Sequence, residues 1–469
     1  MRQDSASKRC LELPLLNYSN VQYIVQLGLG ETDLDRCRKL NRDDSCQKSQ
    51  VLTFIPDTGS HHLWVPKGGA EDLNAKAAPS YPLKSRYYSP ELSLTYKHVR
   101  GETTLGYGDG SRVMGHNMKE TMTMEGVDSS VGIHHQHALL VPGASVPHMV
   151  ADGILGLAPA PPKVTLSPTK ERMSFLDNLT KTLREHKPFI GFYLPKLTSS
   201  QRVRRYAWET FGEWEIRYWE AARARLTVGE PNPAYFTSRI LWSENPLRSQ
   251  GRWGVEVSSL NVGGTSVIIG PALVDTGTSF SLIKPDAFRE FKESLLADDK
   301  CWASFGGPNE KDETLWCRCP SVIEKYIYSG RRPISLSVAD SGTLEWPVTD
   351  YMTTIAHPTH EAYCLVGIGE GSPNMPFEAI LGLTFIQSYY TLFDAASQTV
   401  GFARRRLLPE ERFGLTLPLK VALLTAGMVV AFLGFLLVVV RRSSSISMTE
   451  RDEVEIGLLE AQEEADLAI

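Results

Sequence analysis

No CxxC pair occurs among the seven cysteines, at 10, 37, 46, 301, 317, 319 and 364, which argues against a zinc-ligand framework. Cys37 with Cys46, followed by a late group of four, fits disulfides formed in an oxidising compartment with Cys10 left over. Buried free thiols are the competing reading. The chain also lacks a strong charge bias. A formal charge of -5 over 469 residues supplies no concentrated basic face, so nucleic acid is not an expected partner. A third absence is at the start, where MRQDSASKRCLELPLL has no apolar stretch of signal-peptide length. Composition is otherwise ordinary, with 42% hydrophobic and 22% charged residues, which excludes a mainly disordered or fibrous protein. The length exceeds one ordinary core and calls for two or three packed units.

Against these absences stands one long apolar run, Val421 to Val440, uncharged and polar only at Thr425. About 20 helical residues cover about 30 Å, the thickness of a bilayer core, whereas a buried core helix would be shorter and carry a polar stripe. Arg441 and Arg442 follow directly, which places the C-terminal side in the cytosol and residues 1–420 in the lumen or exterior. The remaining tail, 441–469, turns acidic and reads as a solvated segment. Its Leu458-Leu459 pair fits a sorting signal poorly by spacing. For an exported domain without a leader, either the transmembrane helix itself directs insertion or a first segment, which would also hold an inhibitory propeptide, is missing from the given sequence; the missing segment is favoured. The sequons at Asn17 and Asn178 are compatible with a lumenal location.

Between residues 20 and 406, short β-branched and aromatic runs alternate with Gly, Pro, Asn and Ser clusters, the pattern of a mainly β chain. Helices are expected over Ser174 to His186 and Pro285 to Ala297, where apolar residues recur at three- and four-residue spacing behind a start signal. Residues 201–225, rich in Arg and Trp, read as an insert folded onto the body between two halves. A membrane-surface or partner-binding face is the alternative.

An internal repeat carries the chemistry. FIPDTGSHHLWVP at Phe54 to Pro66 returns as LVDTGTSFSLIKP at Leu273 to Pro285, so that Asp57 recurs as Asp275 at a distance of 218 residues. Each copy is followed by an apolar-apolar-Gly element, DGILGLA at Asp152 to Ala158 and AILGLTF at Ala379 to Phe385. Two carboxyl groups held close together cannot both ionise cheaply. One can therefore take a proton from a water while the other donates to a carbonyl, which is the requirement for hydrolysing an amide without a metal or other cofactor.

With these motifs the sequence resembles the pepsin family of aspartic proteases from about Leu13 to Leu407. WGVEVSSLNVGGTSVIIGPALVDTGTSF is similar to the segment leading into that family's second aspartate, and YTLFDAASQTVGFA to its closing strands. The resemblance implies a mainly β, bilobal fold: an N-terminal lobe at 13–200, the insert at 201–225, a C-terminal lobe at 226–407, then an anchor at 419–440. It also implies catalytic roles for Asp57 and Asp275, close backbone approach at Gly59 and Gly277, cross-bracing by Thr58 and Thr276, and carboxylate hydrogen bonds from Ser60 and Thr278. LGYGDGS at Leu105 to Ser111 is similar to the tip of the family's flap. Tyr107 would then close over a peptide, Trp64 would bond its hydroxyl, and Gly108 and Asp109 would offer backbone groups. Cys364 lies where the family has one partner of a late disulfide, with Cys317 or Cys319 as its mate and Cys301 pairing the remaining one. The resemblance further implies protein or peptide substrates and a monomeric catalytic unit. The anchor resembles those of beta-secretase-like and some protozoan parasite proteases of the family, and so points to protein maturation in the secretory pathway.

Several positions depart from the family pattern. Pro56 stands on the strand before Asp57, where it cannot donate, so a missing or bulged ladder bond is expected. The loop Glu31 to Gln47 is long and charged. A disulfide-closed surface loop is favoured there over a mis-assigned stretch of sequence. His61-His62 replaces a small polar pair and is read as packed or solvent-facing rather than as a tuner of the aspartates. His134, His135 and His137 lack further ligands for a metal site. Two rival functions follow from these departures and from the insert: a peptide-binding ectodomain with an impaired dyad, and an anchored receptor working through residues 201–225.

Overall fold

The computed structural model describes residues 10–18, 20–39, 47–68, 87–108, 111–127, 129–145, 149–160, 174–183, 189–196, 219, 222–297, 301–305, 313–319, 334–340, 342–357 and 360–408. The expected span Val421 to Val440, the acidic tail, Cys46, Asp109 and most of 201–225 lie outside them. Among the described residues no helix is long and apolar enough to cross a membrane.

Both copies of the repeat build the same local weave. Gln50–Asp57, its last six residues buried, lies parallel to Gly153–Gly156, with Phe54 opposite Gly153 and Asp57 opposite Gly156. Leu63–Pro66 returns antiparallel to Gly153–Gly156 and parallel to Ser130–Ser145. The second copy repeats this. Thr265–Val274 lies parallel to Ala379–Leu381, while Ser281–Ile283 returns antiparallel to it and parallel to Ile368–Glu370. The apolar-apolar-Gly elements are thus the strands over which each aspartate loop crosses. Their glycines are required by contact: a Cβ on Gly156 would sit 2.5 Å from the His62 nitrogen, and one on Gly382 2.2 Å from the Phe280 oxygen.

Pro56 causes no bulge. The parallel register runs through it without a shift, and pairing with the other neighbour, Gln22–Leu29, ends at Phe54 opposite Val25. A residue with no N–H is tolerated there because the strand has already lost that second partner.

Strands from distant parts of the chain meet in one 13-stranded sheet. Its central stretch runs Tyr389–Asp394, Phe189–Tyr193, Ala224–Gly229, Cys10–Tyr18, Gln22–Leu29. Ala224 and Arg225, at the end of the expected insert, are therefore already strand residues, opposite Leu15 and Pro14. A 7-stranded and a 4-stranded sheet complete the second half. The core is formed by side chains facing one way from alternating strand positions, including fully buried Phe54, Phe192, Trp253 and Phe393.

The two expected helices are present and shorter. Phe175–Thr182 is capped by a reciprocal Ser174 and Asp177 box and buries Phe175, Leu176 and Leu179. Pro285–Leu296 starts on its proline and buries Phe288, Phe291 and Leu295. Glu120 is another fixed point, buried without a cation but accepting from the hydroxyls of Tyr88, Ser93 and Thr95 and from the Thr121 amide. Burial, then the bond to Glu120, raises the Tyr88 phenol well above its usual pKa.

The 4-stranded sheet resolves the cysteine alternatives. Cys301 and Cys317 face each other on adjacent strands and are bonded, and Cys319, past the end of its strand, is bonded to Cys364. Cys37 is also disulfide-bonded, in the short helix Leu34–Lys39 of the long charged loop.

Neither sequon asparagine presents an open amide. Asn17 is buried and donates to Asn20, to the Tyr23 hydroxyl and to the Pro195 carbonyl, while Asn178 donates to Gln136 at 3.1 Å. Mass spectrometry of the protein from a glycosylating host is expected to find Asn17 unmodified. Asn17→Ala is expected to lower the unfolding free energy in urea by about 1–3 kcal/mol, because buried acceptors lose their donor.

Candidate active site

The two aspartate loops face each other, and their backbones cross. Thr58 donates its amide to the Thr276 hydroxyl at 3.1 Å, and Thr276 returns the bond to the Thr58 hydroxyl at 2.9 Å. Each hydroxyl then donates onward to the opposite strand, Thr58 to the Val274 carbonyl at 2.9 Å and Thr276 to the Pro56 carbonyl at 2.6 Å. All four groups are buried, so each pair trades water for protein without leaving a polar atom unsatisfied.

Above this crossing the carboxyl groups meet. Asp57 and Asp275 are 6% and 7% exposed and share a side-chain hydrogen bond. Each inner oxygen accepts from a glycine amide two residues on, Gly59 and Gly277, both at 2.8 Å. Each outer oxygen accepts from a hydroxyl three residues on, Ser60 for Asp57 and Thr278 for Asp275, the latter at 2.6 Å. Reciprocal contact makes glycine obligatory at both positions. A Cβ on Gly59 would lie 2.5 Å from the Asp275 carboxyl carbon, and one on Gly277 2.5 Å from an Asp57 oxygen. Burial is the largest cause raising the Asp57 pKa well above the ordinary value, and the neighbouring Asp275 charge adds to it. The bonds from Ser60 and Gly59 oppose both without overcoming them. The pair therefore retains a proton where isolated aspartates would have lost theirs.

A hairpin formed by Lys97–Gly106 and Arg112–Glu125 brings Tyr107 near this centre, its amide closing the turn on the Ser111 carbonyl at 2.9 Å. Trp64, fully buried on the strand that returns from the Asp57 loop, donates Nε1 to the Tyr107 hydroxyl at 2.7 Å. Gly108 is exposed at the tip. His61 and His62 form a tilted pair with centroids 4.0 Å apart, half-buried beside the loop. His134 and His135 are exposed on a different strand, Ser130–Ser145.

Four residues near the site escaped notice in the sequence. Asp152 accepts from both the amide and the hydroxyl of Thr53, at 2.8 and 2.7 Å, and so fastens the crossing strand to the Asp57 strand. Its place at the head of DGILGLA was the available signal. Trp253 donates Nε1 to the Leu157 carbonyl at 2.9 Å, and its neighbour Arg252 reaches the Gly59 carbonyl at 3.0 Å. Nothing local marks either contact, because their partners lie in the other half. Trp219, within the expected insert, packs on the cluster containing Trp64, Ile55 and Tyr107.

A profile of the eukaryotic aspartyl protease family matches residues 46–405. Among curated proteins, cathepsin E of Cavia porcellus is 24% identical over 400 residues, covering 83% of each chain. Chymosin of Ovis aries is 24% identical over 84% of this chain and 83% of its own. Cathepsin D of Bos taurus is 25% identical over 83% of this chain and 86% of its own. The match spans both halves of the weave, so the chain belongs to the eukaryotic aspartyl protease family and is an aspartic endopeptidase with a mainly β, pepsin-like fold.

Proposed function

We propose that Asp57 and Asp275 form the catalytic pair and that a water held between them attacks the scissile carbonyl of a bound peptide. The reciprocal contact of Gly59 with Asp275 and of Gly277 with Asp57 carries this reading, because it brings two carboxyl groups within one proton's reach. The ionised member accepts a proton from the water as its oxygen bonds to the carbonyl carbon. The protonated member donates towards the carbonyl oxygen, and a proton then passes to the departing amine. No metal or other cofactor has a step in this scheme. Thr58 and Thr276 hold the separation of the loops, while Ser60 and Thr278 orient the outer oxygens. Tyr107, steadied by Trp64, closes the hairpin over substrate, and Gly108 and Asp109 offer backbone groups to an extended peptide.

The same proposal takes Val421 to Val440 as a single membrane span with Arg441 and Arg442 on the cytosolic side. The catalytic unit is then a lumenal or extracellular monomer, 13–407, serving protein processing in the secretory pathway. Support for this comes from the apolar run and the basic flank alone. Ending the chain at residue 412 is expected to release the protein from membranes without alkali or detergent. Retention of the shortened chain in the membrane fraction would remove the anchor.

Asp57→Asn and Asp275→Asn are each expected to lower kcat/KM on a denatured protein substrate by at least about a thousandfold. Undiminished cleavage by either variant would overturn the dyad. Gly59→Ala is expected to be comparably inactive, since its methyl group would displace the Asp275 carboxyl group.

The raised Asp57 pKa also links stability to pH. The native state holds the proton more tightly than the unfolded chain. That contribution is therefore complete below the unfolded value of about 3.8 and is lost as pH rises through the raised native value. Urea midpoints of the wild type should fall across that window, and those of Asp57→Asn should fall less.

A further inference from the structure

Arg252 places a cation at the edge of the two aspartate loops with no carboxylate partner among the described residues. Its backbone is pinned on every side: its amide donates to the Leu247 carbonyl, its carbonyl accepts from Asn245 at 2.7 Å, and Trp253 beside it is fully buried. The side chain is directed at the dyad's surroundings. Nη1 donates to the Gly59 carbonyl at 3.0 Å, and Gly59 is the residue whose Cα faces the Asp275 carboxyl group. The guanidinium carbon lies 5.9 Å from the centre of the Phe377 ring, which backs it with an apolar face.

A guanidinium has five N–H donors, and one is used here. Some cations of the protein meet carboxylates, Arg404 with Glu345, Lys284 with Glu378 and Lys196 with Asp350, whereas Arg225 and Arg405 donate to backbone carbonyls. Arg252 forms no ion pair among the described residues, although it is half-buried. A cation in this position is incompletely solvated and incompletely paired, and the group best matched to its planar fork is a carboxylate.

We propose that Arg252 is a specificity-determining residue that receives an acidic side chain of the substrate peptide beside the scissile bond. The proposal rests on Asp57 and Asp275 marking the cleft. Two weaker roles are available to the same side chain, bracing the Gly59 loop and holding a backbone carbonyl of the peptide. Both would affect acidic and neutral peptides equally, which separates them from the proposed role.

The test uses the full chain and peptide pairs that differ only by Glu or Gln at successive positions on either side of the cleaved bond. Measurements are made above the ordinary glutamate pKa of about 4.3. Binding of each pair to Asp57→Asn is read in parallel by fluorescence anisotropy. At one position the wild type is expected to favour Glu over Gln by about ten- to a hundredfold in kcat/KM, the range of a charge-assisted hydrogen bond. Arg252→Gln should bring that ratio close to one, and Arg252→Glu should shift the preference to Lys. The wild-type ratio should also fall with added salt and as pH drops through the glutamate pKa, so a misfolded variant would not remove the test. Absence of a Glu preference at every position, or a ratio that survives Arg252→Gln, overturns the proposal. Glu-selective binding without turnover by the wild type would instead overturn the dyad and leave Arg252 in its role.

Discussion

Two carboxyl groups in contact inside a buried crevice repel as soon as both are ionised, and the rest of the architecture answers to that constraint. Water would relieve the repulsion by separating them, so the loops must be held by bonds stronger than the tendency to spread. The exchanged hydroxyl and amide bonds of Thr58 and Thr276 supply this at the base. The glycine amides bond the inner oxygens, and the Ser60 and Thr278 hydroxyls bond the outer ones. What remains between them is one retained proton.

This arrangement needs two rigid halves brought into register, and the contacts joining them lie at several depths. Trp253 reaches across to the Leu157 carbonyl beneath the carboxyl groups, and Arg252 reaches the Gly59 carbonyl at their edge. From the other half, Ser279 donates to the Val21 carbonyl and Gln387 to the Asn20 carbonyl. Below them all, Phe189–Tyr193 and Tyr389–Asp394 pair as neighbouring strands, so the floor of the cleft is continuous hydrogen-bonded sheet. A long sheet resists shear along its strands better than side-chain packing alone, which keeps the dyad separation independent of how the walls above it move.

Much of this was legible in the chain because its signals are local. The repeated Asp-Thr-Gly, the glycine of each crossing strand and the Ser174 and Pro285 helix starts all lie within a few residues of the structure they specify. Contacts between the halves were not legible. Arg252 and Trp253 look like ordinary residues before a β run until their partners 193 and 96 positions away are known. The choice between Cys317 and Cys319 is not determined by sequence spacing, nor by strand register alone: Cys317 lies opposite Cys301 on one neighbouring strand and opposite Cys364 on the other, and it is bonded to Cys301. Asn17 misled for a related reason. Its sequon reads as a surface signal, yet a strand partner and the carbonyl of Pro195, 178 residues on, enclose it. At Pro56 the missing N–H brings no bulge because pairing with Gln22–Leu29 stops at Phe54, a boundary the sequence does not mark.

The interleaved order of the 13-stranded sheet has a consequence for synthesis. The first strand, Cys10–Tyr18, is sandwiched between its hairpin neighbour and Ala224–Gly229, and beyond the latter the sheet continues through Phe189–Tyr193 to Tyr389–Asp394 and Thr399–Arg404. Translation therefore delivers the earliest strand long before the partners that cover it, and the sheet cannot be finished while residues near 400 are still in the ribosome. Loop closure over such separations is slow and leaves strand edges exposed meanwhile. Until its last strands emerge, a nascent chain of this topology presents the unpaired edges of its leading half, the condition that favours pairing with neighbouring chains.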